Sequence, residues 1–166
     1  MIPKILKNFN LFIDGRGYAG KVEEVNLPKL GIKTEEFRAG GLDAPVFVDM
    51  GMEKIEASFT LLEYDKDVLK QFGLVSGNAV QITLRGALQD DTTVSAVIVK
   101  LRGMYTEMDM GKLAAGDKAT LQCTLACRYY SLEIAREQLI EIDVDNMTRK
   151  IGGQDKLADV RKAIGI

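Results

Sequence analysis

The chain has 166 residues, 46% hydrophobic and 28% charged, the balance of an ordinary soluble globular protein long enough to bury one core. A formal charge of -2 excludes the basic footprint of a dense nucleic-acid binder, and no apolar run reaches the roughly 18 to 20 residues of a membrane-spanning helix. Histidine is absent, which removes the commonest general base and the commonest metal ligand, and with them the usual serine and cysteine triads.

Met1 to Asn10 lacks the apolar stretch and small-residue cleavage site of a signal peptide, so a cytosolic start and no membrane anchor are expected. Asn8 to Ile13 reads as a strand, Asp14-Gly15 as a turn and Tyr18 to Val25 as the strand that returns. Within this hairpin Gly15, Gly17 and Gly20 have the G-x-G-x-x-G spacing of a dinucleotide-binding turn. Only the seven residues KVEEVNL separate Gly20 from Pro28, too few for the crossover helix that such a turn opens. The hairpin is therefore the expectation, and a small dinucleotide-binding protein the minor alternative.

Leu30 to Met52 carries four glycines, a proline, apolar residues and both charge signs, without steady alternation past Phe37. Loops this long inside a compact domain are usually functional or disordered, yet this one is too apolar for a solvated linker. An ordered loop that closes against another subunit reconciles the two properties. Gly40 and Gly41 would free its tip, and Leu42, Val46, Phe47, Met50 and Met52 are the expected contacts.

From Glu53 onward the period is two. Ile55, Ala57, Phe59 and Leu61 alternate with Lys54, Glu56, Ser58 and Thr60, the pattern of a strand with one buried face. Asp65 can cap a short helix over DKDVLKQF, with Val68, Leu69 and Phe72 as its apolar stripe and Gly73 as its end. Ala79 to Arg85 sets Val80, Ile82 and Leu84 against Gln81, Thr83 and Arg85, and Asp90-Asp91 reads as the following turn. Thr93 to Tyr105 is apolar on both faces at its centre, which predicts a central strand covered on both sides.

Thr120 to Ile134 changes phase: Leu121, Cys123, Leu125, Cys127 and Tyr129 give way to Tyr130, Leu132 and Ile134, so a bulge or bend is expected near Tyr129. Four residues apart on one strand, Cys123 and Cys127 have α-carbons about 13 Å from each other, beyond disulfide reach, and are expected as buried thiols. Leu139 to Val144 is a further strand, and Gln154 to Ile164 a second helix with Leu157, Val160, Ala163 and Ile164 on one side. The expected fold is a single domain over residues 1 to 166, mainly β, an antiparallel sandwich or barrel with one or two short packed helices.

No constellation for chemistry emerges. Aligned as an EF-hand loop from Asp143, the segment places Met147 where an oxygen ligand belongs and Gln154 at the terminal glutamate. Glu23-Glu24, Glu35-Glu36 and Asp90-Asp91 read as surface doublets. No catalytic, cofactor-binding or metal residue is assigned. Met50, Met52, Met108 and Met110 sit beside glycines and carboxylates at segment ends, where core filling and adaptable contact are equally good readings.

PKILKNFNLFIDGRGYAGKVEEVNLPKL at 3 to 30, EEFRAGGLDAPVFVDMGMEKIEASFTL at 35 to 61 and QFGL at 71 to 74 closely resemble the major tail tube protein of contractile-tailed phages, also used in R-type pyocins and other phage-tail-like bacteriocins. The resemblance spans nearly the whole chain and is weakest after Asp145. It implies a virion structural protein without enzymatic activity or cofactor, six copies closing into a ring, and rings stacking into a hollow tube inside a contractile sheath. Assembly would occur in the bacterial cytoplasm. It further implies partners: the chain itself, the sheath, an initiator at the baseplate, a terminator at the head end, and DNA in passage if the particle is a phage. The type VI secretion tube is the closest alternative within the same fold.

Such a ring can be checked for size. Four strands from each of six subunits, at about 4.8 Å spacing and roughly 40° tilt, give a backbone diameter near 48 Å, wide enough for duplex DNA after side chains are subtracted. Polar strand faces would line it, with Lys54, Glu56, Ser58, Thr60, Gln81 and Thr83 as the expected lumen residues.

Overall fold

The computed structural model describes residues 2 to 73 and 79 to 166; Leu74, the last residue of the QFGL stretch, lies outside them. In chain order the strands are β1 (Ile5–Ile13), β2 (Arg16–Gly17), β3 (Val22–Asn26), β4 (Ile32–Phe37), β5 (Val46–Met52) and β6 (Ile55–Leu61). The short helix α1 (Lys66–Leu69) follows, then β7 (Val80–Gln89), β8 (Val94–Asp109), β9 (Leu121–Ile134), β10 (Glu137–Asp143), β11 (Thr148–Ile151), β12 (Gln154–Asp155) and α2 (Ala158–Ile164). Among the described residues all pairings are antiparallel, and the main sheet runs β12-β11-β10-β9-β8-β7-β1-β2 with β6 and then β3 branching from β9. The result is a mainly antiparallel β-sandwich.

The branch is made by β9. Its first half pairs with β6 from Leu121↔Leu61 to Cys127↔Ile55, and its second half pairs with β10 from Tyr129↔Asp143 to Ile134↔Glu137. Between the halves β8 skips one residue of β9: Gly103 faces Cys127 while Arg102 faces Tyr129, leaving Arg128 as the extra residue. This is the bulge that the phase change predicts, and it lets Leu121, Cys123, Leu125 and Cys127 share one core with Tyr130. Phe59 from β6 and Tyr105 from β8 meet edge to face in that core, 6.1 Å between ring centres.

Several expectations need correction. The strand that returns from the Asp14-Gly15 turn is only β2; Tyr18, 3% exposed, then turns into the core, and Val22–Asn26 pairs with β6 rather than β1. The 30 to 52 stretch is largely a β-hairpin, β4 with β5, forming its own two-stranded sheet. Central as expected, β8 is covered on one face only: Val99, Leu101 and Tyr105 are buried, whereas Val94 on the other face is 65% exposed. Asp65 does cap α1, accepting from the Asp67 and Val68 amides, and Val68 is buried, but Phe72 is exposed. No residue of α2 is buried, because the helix is held by polar bonds instead: Arg161 donates to the Asp155 carboxylate at 2.5 Å and to the Met147 carbonyl at 2.8 Å.

Gly103 is where β8 and β9 approach most closely. A β-carbon there would land on the carbonyl oxygen of Ala126 and lie 2.9 Å from the Cys127 α-carbon, backbone that cannot move without breaking the bulge. Gly86 differs: its added methyl would meet the tip of the exposed Leu6 side chain at 2.8 Å, which can swing away. Gly103→Ala should therefore cost about 3 kcal/mol or more and Gly86→Ala less than about 1 kcal/mol, measured by denaturant unfolding.

Candidate assembly surfaces

The residues that the sequence offers for chemistry are engaged otherwise in the structure. Gly15 and Gly20 lie in turns with positive φ and Gly17 lies in β2, and the strand β3 follows Gly20 where a dinucleotide-binding turn would open a helix; the start of α1 does lie beside the turn, but it presents a carboxylate there, Asp67 pairing with Arg16. Both cysteines are free and buried, and burial pushes each thiol up to about 12, so neither is a nucleophile at neutral pH. Asp143 is used to hold its own turn, accepting from the Asn146 amide at 3.2 Å, and Asp90 likewise accepts from Thr92 and Thr93. Among the described residues no cluster of three or more carboxylate, cysteine or histidine groups could hold a metal ion.

What remains is surface. The β4–β5 hairpin exposes nearly its whole length, including Phe37, Val46, Phe47 at 69%, Val48 and Met50; Met52 is half-buried. Gly40 and Gly41 form its tip, where the Leu42 amide closes a turn on the Ala39 carbonyl at 3.2 Å and Gly41 takes a positive φ. At its base the Glu53 amide donates to the Gly31 carbonyl.

One ion pair ties the outer strand to the body. Arg149 on β11, with a side chain only 12% exposed, donates to Asp49 at 2.9 Å. Asp49 also accepts from the Gly51 amide at 2.7 Å, and these bonds hold its carboxyl below the usual carboxylate range, the Gly51 amide contributing most. The same three-residue turn recurs at Asp109-Met110-Gly111, where the Gly111 amide donates to Asp109 at 2.8 Å. In both turns the aspartate side chain replaces a backbone partner and the methionine is left exposed.

The expected lumen residues share one face. Register carries Asn26 to Ser58 to Thr124, and Phe12 to Thr83 to Lys100 to Ser131 to Glu141, all on the side of the sheet opposite the core. Along β6, Lys54 pairs with Glu56 at 3.3 Å, and Ser58 accepts from Asn26 at 3.0 Å. Thr60 is half-buried and Gln81 exposed. Sequence reasoning missed what lies next to Gln81 and Thr83: Arg102 opposes Gln81, Lys100 opposes Thr83, and Arg85 is two residues further along β7. Alternation in β8 puts Lys100 and Arg102 on one face, but only the register reveals their neighbours. Arg102 lies over the Tyr129 ring, 5.2 Å from its centre, and the Tyr129 hydroxyl donates to Glu141 at 2.9 Å.

Comparison with known proteins points to a structural family. The family model for phage tail tube protein FII matches residues 3 to 165. The tail tube protein of Escherichia phage P2 is 32% identical over 170 residues, covering 99% of each chain, and the major tail tube protein of Serratia phage KSP20 is 32% identical over 168 residues, covering 99% of this chain and 98% of its own. Among solved structures, the sheath/tube terminator of the extracellular contractile injection system PVC superposes with a TM-score of 0.62 over 80% of this chain and 98% of its own, at 14% identity. The sheath-tube complex of that system gives 0.57 over 76% of this chain and 88% of the other, at 15% identity. At such identities the structures speak for the fold alone.

The Asp49–Arg149 tie yields a prediction about the free subunit. Arg149→Gln should speed tryptic cleavage at Arg38, near the hairpin tip, severalfold while leaving global unfolding unchanged, because the pair is exposed on the Asp49 side and adds little to stability. Since the folded Asp49 titrates below its ordinary 3.8, the tie is complete above that value and is lost as pH falls through the lower folded value. Wild-type cleavage at Arg38 by an acid-tolerant protease should therefore rise only below about pH 4.

Proposed function

The chain belongs to the phage tail tube protein family and is a structural subunit of a contractile-tail tube, and from that premise we propose that six copies close into a ring and that rings stack through the β4–β5 hairpin. The hairpin is the observation that carries the reading. A two-stranded sheet that exposes Phe37, Val46, Phe47 and Met50 cannot stand alone in water, since isolated hairpins are marginal and exposed apolar strands pair with other chains. Its occupant is a second copy of the same chain, reached across the ring-to-ring interface by Gly40, Gly41, Leu42, Val46, Phe47, Met50 and Met52.

Ring closure uses the ends of the sheet path β3-β6-β9-β8-β7-β1. Among the described residues the outer edge of β3 and the Ile5 to Asn10 edge of β1 have no strand partner. Joining such edges from copy to copy removes both. The open face of this path then becomes the channel wall, with Lys54, Glu56, Ser58, Thr60, Gln81 and Thr83 toward the lumen. Short hydroxyl and amide side chains suit a wall that must be wetted. The sheath packs outside, an initiator at the baseplate and a terminator at the head end bound the tube, and assembly takes place in the bacterial cytoplasm. In a phage the tube conducts DNA; in a bacteriocin it is the piercing core.

Deleting residues 40 to 45 should leave a folded monomer, with an unchanged unfolding midpoint, that forms no tubes under electron microscopy. Normal tubes from that deletion would exclude the hairpin as the stacking element. Independently, cysteines introduced at Glu56 and Ser58 should resist bulky maleimides in assembled tubes and react in free subunits, and the buried Cys123 and Cys127 give little background. Equal labelling of tubes and subunits would place these side chains on the outside.

A further inference from the structure

The open face is not uniform. On β6 its charges are neutralised by the Lys54–Glu56 pair. On β10 they are also engaged: Glu141 accepts from Tyr129 and Gln138 and lies 3.9 Å from Lys150, and Asp143 accepts from Asn146. Between these regions stand Arg85, Lys100 and Arg102, none of which has a carboxylate within ion-pair distance among the described residues. Glu133 on β9 lies diagonal to Lys100, yet no ion pair joins them. Around the shallow depression of about 150 Å³ lined by Lys100 and Arg102, the other polar side chains are Gln81, Thr83 and Tyr129, none acidic; Gln81 and Thr83 can donate a hydrogen bond, while the Tyr129 hydroxyl already donates to Glu141.

We propose that Arg85, Lys100 and Arg102, assisted by Gln81 and Thr83, form a contact site for the phosphodiester backbone of nucleic acid. The site rests on the channel-wall reading above and deepens it, because it names the groups that touch the cargo. Lys100 and Arg102 are two residues apart on one face of β8, about 6.7 Å, and Arg85 is diagonal to Lys100 at about 7 to 8 Å, so the three charges make a band rather than a point. The cation–π contact with Tyr129 restrains the Arg102 guanidinium, which limits the ordering cost of a phosphate contact. The acidic alternative, a carboxylate-rich protein segment, is less well matched, since anchoring a peptide calls for an apolar pocket beside the charges and the lining here is polar apart from the edges of Ile82 and Leu101. A backbone of repeated phosphates needs no such anchor.

The test uses the purified full chain, kept unassembled by dilution, and a short fluorescent DNA duplex read by anisotropy. Three phosphate contacts predict that the logarithm of the association constant falls with the logarithm of salt concentration with a slope of about -2.7. In the triple variant Arg85→Gln, Lys100→Gln, Arg102→Gln the slope should fall to near zero. Because Arg102 also packs on Tyr129, the double variant Arg85→Gln, Lys100→Gln is measured beside it and should retain a slope near -0.9. No duplex binding at about 20 mM salt, binding that survives the triple variant, or equally tight binding of poly-glutamate would each overturn the proposal. Electron microscopy of the same variants keeps the two readings apart: tubes that form normally from a wild-type chain that ignores DNA leave the tube assignment intact and remove the phosphate site alone.

Discussion

The fold turns on one place where two strands come too close for a side chain. β9 has to serve two partners, β6 along Leu121 to Cys127 and β10 along Tyr129 to Ile134, and a regular strand cannot do so while keeping its apolar residues inward. The extra residue Arg128 shifts the phase, so that odd-numbered residues point into the core before it and Tyr130 does so after it. Gly103 opposite makes room for the bulge. Every other long strand is positioned by this hand-over: β8 follows β9 along both halves, β7 follows β8, and β1 follows β7.

Two kinds of surface follow from that sheet. The core face is apolar and complete in one copy, with Leu11, Leu61, Val99, Leu121, Cys123 and Leu125 fully buried. Many other apolar residues, among them those on the hairpin, Ile5 and Leu6, and Val160 and Ile164 of α2, stay exposed among the described residues. A monomer rarely tolerates so much exposed apolar strand, because each unpaired edge is a template for another chain. In the proposed ring and stack those same groups are the adhesive, and the stability of the subunit is separated from the stability of the tube. The hairpin can be angled by the Asp49–Arg149 ion pair, exposed on the Asp49 side, without drawing on the core.

Much of this was legible in the sequence, for reasons that also mark where reading stops. Strict alternation in Ile55 to Leu61 and the phase slip after Cys127 are local, and a strand half-buried on one side has to show them. The Asp65 cap is local as well. Pairing partners are not: nothing in Val22–Asn26 says that it joins β6 instead of β1, because that choice is made by Tyr18 entering the core. The 30 to 52 stretch hid a hairpin because neither face of β4 or β5 is buried in the chain, so no alternation was required. The expected C-terminal helix is right from Ala158 to Ile164 only, since Gln154–Asp155 is the strand β12, and its apolar stripe does not reveal whether its cover lies in the same chain. Lys100 and Arg102 went unremarked for a related reason, since their cluster with Arg85 exists only once β7 and β8 are in register.

The charge pattern of the open face has to satisfy opposing demands if DNA is to pass. A net charge of -2 per chain gives about -12 for six copies, which disfavours a polyanion, but over a Debye length of about 8 Å at physiological salt the average matters less than the nearest side chains. A wall of acids alone would oppose entry, and a wall of bases alone would retain what entered. A conducting channel does best when contacts are favourable enough to admit the cargo and weak enough to release it, with equivalent sites repeated along the path. One band of cations per subunit, beside Glu133 and flanked on β10 by Glu141 and Asp143, which are held by Tyr129, Gln138, Lys150 and Asn146, has that form. Repetition by stacking then turns a weak contact into an even track, because cargo leaving one ring's cations meets those of the next at the same energy.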